Sequence, residues 1–464
     1  MYTGNNFLRH YGCAAFAAIV LATTGTAAQA GGFAVREQST SGLGSAFAGA
    51  AAAYDLSSMY WNPAATGNFD GRNMEMHMAL ILPDSEITPL PGSTLFALNP
   101  SKTAIDSPIL LPSTYSSMQI NDKLVVGLGV NTPFGLVTEP EDRTYAGQYH
   151  GRTAKLTTYD ANPNVAYRVS PKVIVGAGVQ LVYADLTLKT NPSFAPPNAP
   201  NSALNGDDRG VGFTLGALFK PTPATQIGIG FRSKVELDIE GTAKVAGTFV
   251  PVVTQFGTVV LPFQVVDLEA ELELPEIVTF SFRHAVRPNV RVLGTVEWTN
   301  WDRLDIVPVN ATSQGGLPVA PILPGQTVTT LDFQWEDGWF FSLGGEVDVN
   351  KKLTLRGGVA YELSPVDDPT QRTPVVPDND RLWLSIGATY KWRPNITLDF
   401  AYSHLFFDDD PIDRDAPVSA SAGLGVTNVD LIADVDTSVD IVAVSMKIKL
   451  GGHEAPPQPL PPLK

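Results

Sequence analysis

The chain has 464 residues, of which 17% are charged, and a formal net charge of −16. That acidity argues against a nucleic-acid partner, and the absence of any run of 18 apolar residues after position 30 argues against an inner-membrane helix bundle. The single cysteine, Cys13, falls in the N-terminal leader, so the rest of the chain has no disulfide or thiol chemistry.

Residues 1–30 read as a secretory signal peptide: Arg9 in a polar start, an apolar run from Cys13 to Thr24, and Ala28-Gln29-Ala30 as the cleavage site. Export without disulfides points to a bacterial envelope, as a soluble periplasmic protein or an outer-membrane barrel. Residues 31–69 then have a texture of their own, rich in Gly, Ala and Ser and without strand alternation. They are expected to form a plug, with tight turns at Gly42 and Gly44, a short small-faced helix over Ala46–Ala53, and a fixed turn at Asn62-Pro63-Ala64.

From residue 70 to 450 the sequence repeats period-two segments. In the stretch 381–392 the even positions Leu382, Leu384, Ile386, Ala388, Tyr390 and Trp392 are apolar, whereas Arg381, Ser385, Gly387, Thr389 and Lys391 are polar or small. Alternation of this kind suits a soluble sandwich as well as a membrane barrel. The connections decide between them. Tight turns at Ser170-Pro171, Pro221-Thr222, Pro288-Asn289, Asn350-Lys351 and Pro394-Asn395 alternate with long loops near 190–206, 242–264, 308–330, 364–380 and 408–436. Short turns at one end and long loops at the other are the asymmetry of an outer-membrane barrel.

Counting segments predicts strands near 71–82, 108–120, 123–138, 152–169, 172–189, 207–220, 224–241, 265–285, 289–307, 331–349, 352–363, 380–392, 395–407 and 437–450. The expected fold is therefore an all-β membrane protein, a 14-stranded antiparallel transmembrane barrel whose lumen is plugged by an N-terminal hatch. The Pro-rich stretch 451–464 is expected to be a periplasmic tail.

Ser41-Gly42-Leu43-Gly44 followed by Asn62-Pro63-Ala64 resembles the hatch of the FadL family (OMPP1/FadL/TodX-like), outer-membrane transporters of long-chain fatty acids and other hydrophobic compounds. Further matches are Leu274-Pro275-Glu276, Thr299-Asn300-Trp301, Ser364-Pro365-Val366 and the run from Pro377 to Ser385. The resemblance implies capture at extracellular loops, binding in the barrel, gating by the hatch and release through a kinked third strand. On that basis Phe33 and Val35 are expected to contact substrate, Gly42, Gly44, Asn62, Pro63 and Ala64 to serve the gate, and Pro133-Phe134-Gly135 to form the lateral opening. Pro lacks a ladder donor and Gly permits bulge dihedrals, which supports a break there; the alternative is that Pro133 simply ends the strand.

Apolar clusters in two long loops, Leu95 with Phe96 and Phe249 with Phe256, suggest a landing surface for hydrophobic cargo. A carboxylate cargo would want a cation, and Arg381 is the candidate, although lumen arginines such as Arg232, Arg283, Arg356 and Arg381 are expected to pair with wall carboxylates such as Glu297, Glu346 and Asp399. Asp185 stands where fatty-acid members tend to carry a basic residue, so a neutral or aromatic hydrocarbon is the alternative cargo; a general porin or structural barrel is the competing class. No G-x-S-x-G, HExxH or phosphate loop occurs, so neither catalysis nor a cofactor is expected. The acidic stretch 408–415 reads as a solvated loop. The expected partners are a hydrophobic small molecule, outer-membrane lipid and lipopolysaccharide, and the barrel assembly machinery, with the protein itself monomeric.

Overall fold

The computed structural model describes residues 31–450 apart from 98, 143, 191–201, 246–251, 255–256, 260–263, 318–319, 410 and 418–427. The leader, the tail, Phe249 and Phe256 lie outside the described residues.

Fourteen antiparallel strands close into one barrel. Five are unbroken in the first half of the wall: β1 (Arg72–Pro89), β2 (Ile109–Gln119), β4 (Thr153–Ser170), β5 (Val173–Thr190) and β6 (Ser202–Thr222). Strand β3 comes in two pieces, Leu124–Asn131 and Gly135–Thr138. So do β7 (Thr225–Arg232, Val235–Val245), β8 (Gln264–Leu274, Ile277–Arg287), β9 (Val290–Thr299, Ile306–Ala311) and β10 (Thr327–Asp332, Gly338–Asp348). The wall is completed by β11 (Leu353–Leu363), β12 (Arg381–Arg393), β13 (Ile396–Phe407) and β14 (Asn428–Leu450). Pairing of β14 with β1, from Arg72↔Leu450 to Pro89↔Ala433, closes the cylinder and removes its edges.

The alternation sets which face meets lipid. Leu382, Leu384, Ile386, Tyr390 and Trp392 point outward and exposed, whereas Arg381, Trp383, Ser385 and Thr389 on the same strand are buried in the lumen. Several strands run beyond their expected limits: β1 continues to Pro89, and the outer ends of β7 and β8 reach Val245 and Gln264, which trims the expected loop 242–264 at both edges. There the outward face becomes acidic, with Glu236, Asp238 and Glu240 exposed opposite Glu273, Glu271 and Glu269. Carboxylates in such number do not sit against hydrocarbon, so these ends stand clear of it; backbone pairing needs no lipid and persists.

Residues 31–69 pack inside the barrel. A one-turn helix, Thr40–Leu43, is capped by the Ser39 hydroxyl, which accepts from the Gly42 N–H at 3.0 Å. The helix expected over Ala46–Ala53 does not form; only Ala50–Ala52 make a 3₁₀ turn. Ala46, Phe47 and Ala53 hold φ of 49°, 58° and 58°, the left-handed region that interrupts a helix. Wall contacts hold these strained residues in place: the Phe47 carbonyl accepts from Thr295 Oγ1 at 2.8 Å, and Ser281 Oγ accepts from the Ala51 N–H at 3.0 Å. Close approach needs missing side chains in the wall, and Gly228 and Gly230 supply it against the carbonyls of Ala51 and Trp61.

Candidate functional site: an aromatic constriction between hatch and wall

Two stretches of wall leave the ladder and fold inward. In β3, Thr132-Pro133-Phe134 add one residue relative to β4 between the Asn131↔Asp160 and Gly135↔Thr157 pairs, and the strand then resumes. Pro133 therefore breaks the strand and does not end it. On its other side the β2–β3 ladder runs only from Thr114↔Val130 to Gln119↔Val125.

The hatch takes up the freed backbone. The Val35 N–H donates to the Pro133 carbonyl and the Gly135 N–H to the Phe33 carbonyl, each at 2.8 Å, around an antiparallel bridge between Ala34 and Phe134. Gln38 Nε2 donates to the Thr132 carbonyl at 2.6 Å. Thr158 completes the set, its Oγ1 accepting from the Phe134 N–H at 3.0 Å. Residues 33–35 thus stand as a short strand beside the break.

The second inward stretch lies in β9 and β10, where residues 300–305 and 333–337 fall between the paired pieces. It places Trp301 and Trp335 in the lumen. Phe33 packs edge-on against Trp301 with centroids 4.8 Å apart and against Phe134 at 6.1 Å, and tilted against Trp335 at 5.5 Å; Phe134 meets Trp301 at 6.0 Å. Four rings from hatch, β3, β9 and β10 close the lumen at this level. Aromatic edge-to-face pairs add about 1 kcal/mol each to the burial of their apolar area.

Outward from this constriction the lining stays apolar. Leu237, Ile239, Leu272, Leu274 and Leu304 belong to the same buried cluster, and Leu204 and Phe333 join it to a second one containing Val266, Leu268, Val307 and Val309. The acidic outer face of β7 and β8 therefore encloses a greasy inner one. Beneath Ala34 lies a narrow cavity lined by Val35, Arg36, Tyr60, Trp61, Arg232, Ile277 and Glu297.

Several lumen charges among the described residues are paired. Arg36 reaches Glu297 and Glu362, Arg232 holds Asp160 at 2.8 Å while stacking on Tyr60, and Arg356 sits between Glu346 and Asp399 at 3.4 and 3.5 Å. Arg381 is fully buried against Asp378 and Glu362, with the Phe407 ring 4.7 Å away. At the other end of the hatch, Glu75 accepts from the N–H groups of Leu56 and Ser57, the ammonium of Lys447 lies 2.9 Å from Asp55, and His77 Nδ1 accepts from the Thr40 N–H. Asn62 caps Ala64 with its side-chain oxygen and donates to the carbonyls of Ala51 and Ala217, seating Pro63 and Ala64 against the wall.

Of the residues singled out from sequence, Phe33, Pro133, Phe134 and Gly135 meet at one place, and Val35 is bonded to it through its backbone. Gly42, Gly44, Asn62, Pro63 and Ala64 lie along the hatch below, where Gly44 approaches the backbone of Gly387. Leu95 does not join them: it is buried in a separate loop cluster with Ile87, Ile105, Ala146, Ile412 and Leu431, and Phe96 beside it is half-buried. Trp301, Trp335 and Phe333 were missed as site residues. The signal available was an aromatic at the inward phase of a strand flanked by Thr299-Asn300.

A closed barrel with apolar outer staves and an internal plug defines an outer-membrane barrel protein. Its residues 20–449 match the model of the family described as outer membrane protein transport protein (OMPP1/FadL/TodX), and the chain belongs to that family. It is 29% identical over 419 residues to the long-chain fatty acid transport protein of Escherichia coli O6:H1, an alignment covering 84% of this chain and 90% of that one. Its fold is similar to the crystal structure of a Pseudomonas aeruginosa FadL homologue, with a TM-score of 0.76, 20% identity, and coverage of 90% of this chain and 100% of that one. It is also similar to the P. putida toluene transporter TodX, with a TM-score of 0.63, 19% identity, and coverage of 86% and 95%.

Proposed function

We propose that this protein imports hydrophobic compounds across the outer membrane by passive passage through the barrel and lateral release at the break in β3. The observation that carries the reading is the hydrogen bonding of Phe33–Val35 to Pro133–Gly135, since one small displacement of the hatch would free both the constriction and the unpaired edge of β3. A water-filled exit serves such cargo poorly: returning a chain to water costs about 0.8 kcal/mol per methylene, more than about 10 kcal/mol for a sixteen-carbon chain. An apolar path that opens sideways into lipid avoids that step.

The cargo the geometry favours is uncharged and compatible with aromatic walls. The four rings offer faces and edges, and the named lumen guanidiniums are already matched to carboxylates. A long-chain fatty acid is the second reading, favoured by one feature: Arg36 and Arg232 both border the cavity under Ala34, and a carboxylate headgroup there would compete with Glu297 and Asp160. Among the similar proteins named above, one is a long-chain fatty acid transport protein and one a toluene transporter, which accords with either.

Uptake of radiolabelled palmitate and of toluene by a strain lacking this protein, with and without the gene restored, separates the readings. Restoration of toluene uptake with little change for palmitate is expected. Restoration of neither removes the importer reading, and the family membership and fold would stand without it.

A further inference from the structure

Two tripeptides distant in sequence, Leu274-Pro275-Glu276 and Thr299-Asn300-Trp301, meet in the wall. Between the Ile277↔Thr299 and Ala270↔Val309 pairs β9 carries three more residues than β8, and the surplus is folded into a 3₁₀ turn, Trp301–Arg303. Glu276 grips both flanks of that turn. Its Oε1 accepts from Asn300 Nδ2 at 2.8 Å and Arg303 Nη2 at 2.9 Å, its Oε2 from Arg303 Nε at 3.0 Å, and its carbonyl from the Asn300 N–H at 3.0 Å. Arg303 reaches on to Glu273 at 3.3 Å.

The clasp is on the outside and its product is on the inside. Arg303 is one-third exposed, whereas Trp301 is buried in the constriction, boxed by Gly32 and Gly338 and touching Phe33, Phe134 and Trp335. A bidentate guanidinium–carboxylate pair fixes orientation as well as distance, and this one fixes a turn of three residues whose first side chain is the indole.

We propose that Glu276 and Arg303 are positioning residues for selectivity: they set how far Trp301 enters the lumen, and so how wide a hydrophobic molecule passes between it and Phe134. They touch no cargo themselves. The proposal rests on the importer reading above. It predicts that loosening the clasp changes the choice among neutral cargoes of different width more than it changes uptake as such.

The test is whole-cell uptake of naphthalene and of the broader pyrene, in a strain lacking the protein and expressing wild type, Glu276→Ala, Arg303→Ala, Arg303→Lys or Trp301→Ala, with outer-membrane abundance and heat-modifiability on gels as folding controls. Wild type is expected to favour naphthalene, and Glu276→Ala, Arg303→Ala and Trp301→Ala to reduce that preference by about tenfold, the scale of shape discrimination in apolar pockets. Arg303→Lys, which keeps the charge, is expected to restore part of it. Two alanine variants at the clasp guard against one failing to fold. An unchanged preference in folded Glu276→Ala and Arg303→Ala overturns the clasp while leaving the importer reading intact, as does a loss confined to Trp301→Ala. Wild-type uptake of neither probe above an empty-vector strain overturns the neutral-cargo reading, and the clasp with it, while palmitate uptake by the same strain would keep the importer reading.

Discussion

Glu37 lies in the hatch between two residues that are firmly held, Arg36 and Gln38, yet neither of its carboxylate oxygens has a donor from another residue among those described. The charges facing it are Arg36 from the hatch, Glu362 from β11 and Arg381 from β12. Those two guanidiniums already meet Glu297, Glu362 and Asp378, so the buried network has no cation left for a fourth carboxylate. Burial, with the like charge of Glu362 adding to it, pushes the Glu37 carboxyl up to about 7 from 4.5. The docked hatch therefore holds one proton more than the undocked one between about pH 4.5 and 7, and docking weakens as pH rises through that window and levels off above it. Hydrogen exchange of residues 31–44 in detergent, corrected for the intrinsic pH dependence of exchange, should show protection falling across this range in the wild type. In Glu37→Gln it should stay level and high. A Gln variant with the wild-type slope would assign the titration to another group.

Among the elements, β3 carries the most legible signal and the most consequence. A proline and a glycine two residues apart in a strand bonded on both sides predict a break from covalent structure alone, because one lacks the donor and the other lacks the Cβ. What sequence leaves open is whether the strand resumes and what covers the gap; both depend on residues about a hundred positions away, at Phe33–Val35. Replacing Pro133 and Gly135 with valine should let the β2–β3 ladder extend beyond Thr114↔Val130. Uptake is then expected to fall to near the level of cells lacking the protein while the barrel still inserts and resists denaturation by detergent. Undiminished uptake in that variant would move the exit elsewhere. The hatch shows the opposite case: its alanines favour helix, yet Ala46, Phe47 and Ala53 are left-handed because wall hydroxyls and glycines reward another path.

At the scale of the molecule, a plugged cylinder and an open pore differ in what they conduct. Contacts of the hatch reach β1 to β8 and β12 to β14, spanning the lumen from wall to wall. Planar-bilayer recording is expected to show little steady conductance for the full chain and a large, weakly selective conductance once residues 31–69 are deleted. A high open conductance in the intact protein would favour the porin class. The acidic outer ends of β7 and β8, standing above an apolar inner lining, also explain how one protein can be soluble at its rim and greasy in its throat.

Period-two alternation and the short–long rhythm of the turns determined the strand number, their order and the class of protein, because lipid on one side and a filled lumen on the other impose opposite demands on neighbouring residues along every stave. The break at Pro133–Gly135 was likewise readable from local chemistry, whereas Phe33 was singled out by family likeness alone. Only the tertiary structure decided what meets what. It set Leu95 in a loop cluster apart from the constriction, tied Arg381 to Asp378 and Glu362, and brought Glu276 to Asn300 and Arg303 and Trp301 to Phe33. The physical reason is range: alternation is written into successive residues, whereas the register of β8 on β9 and the seating of a plug are fixed by contacts between segments hundreds of residues apart.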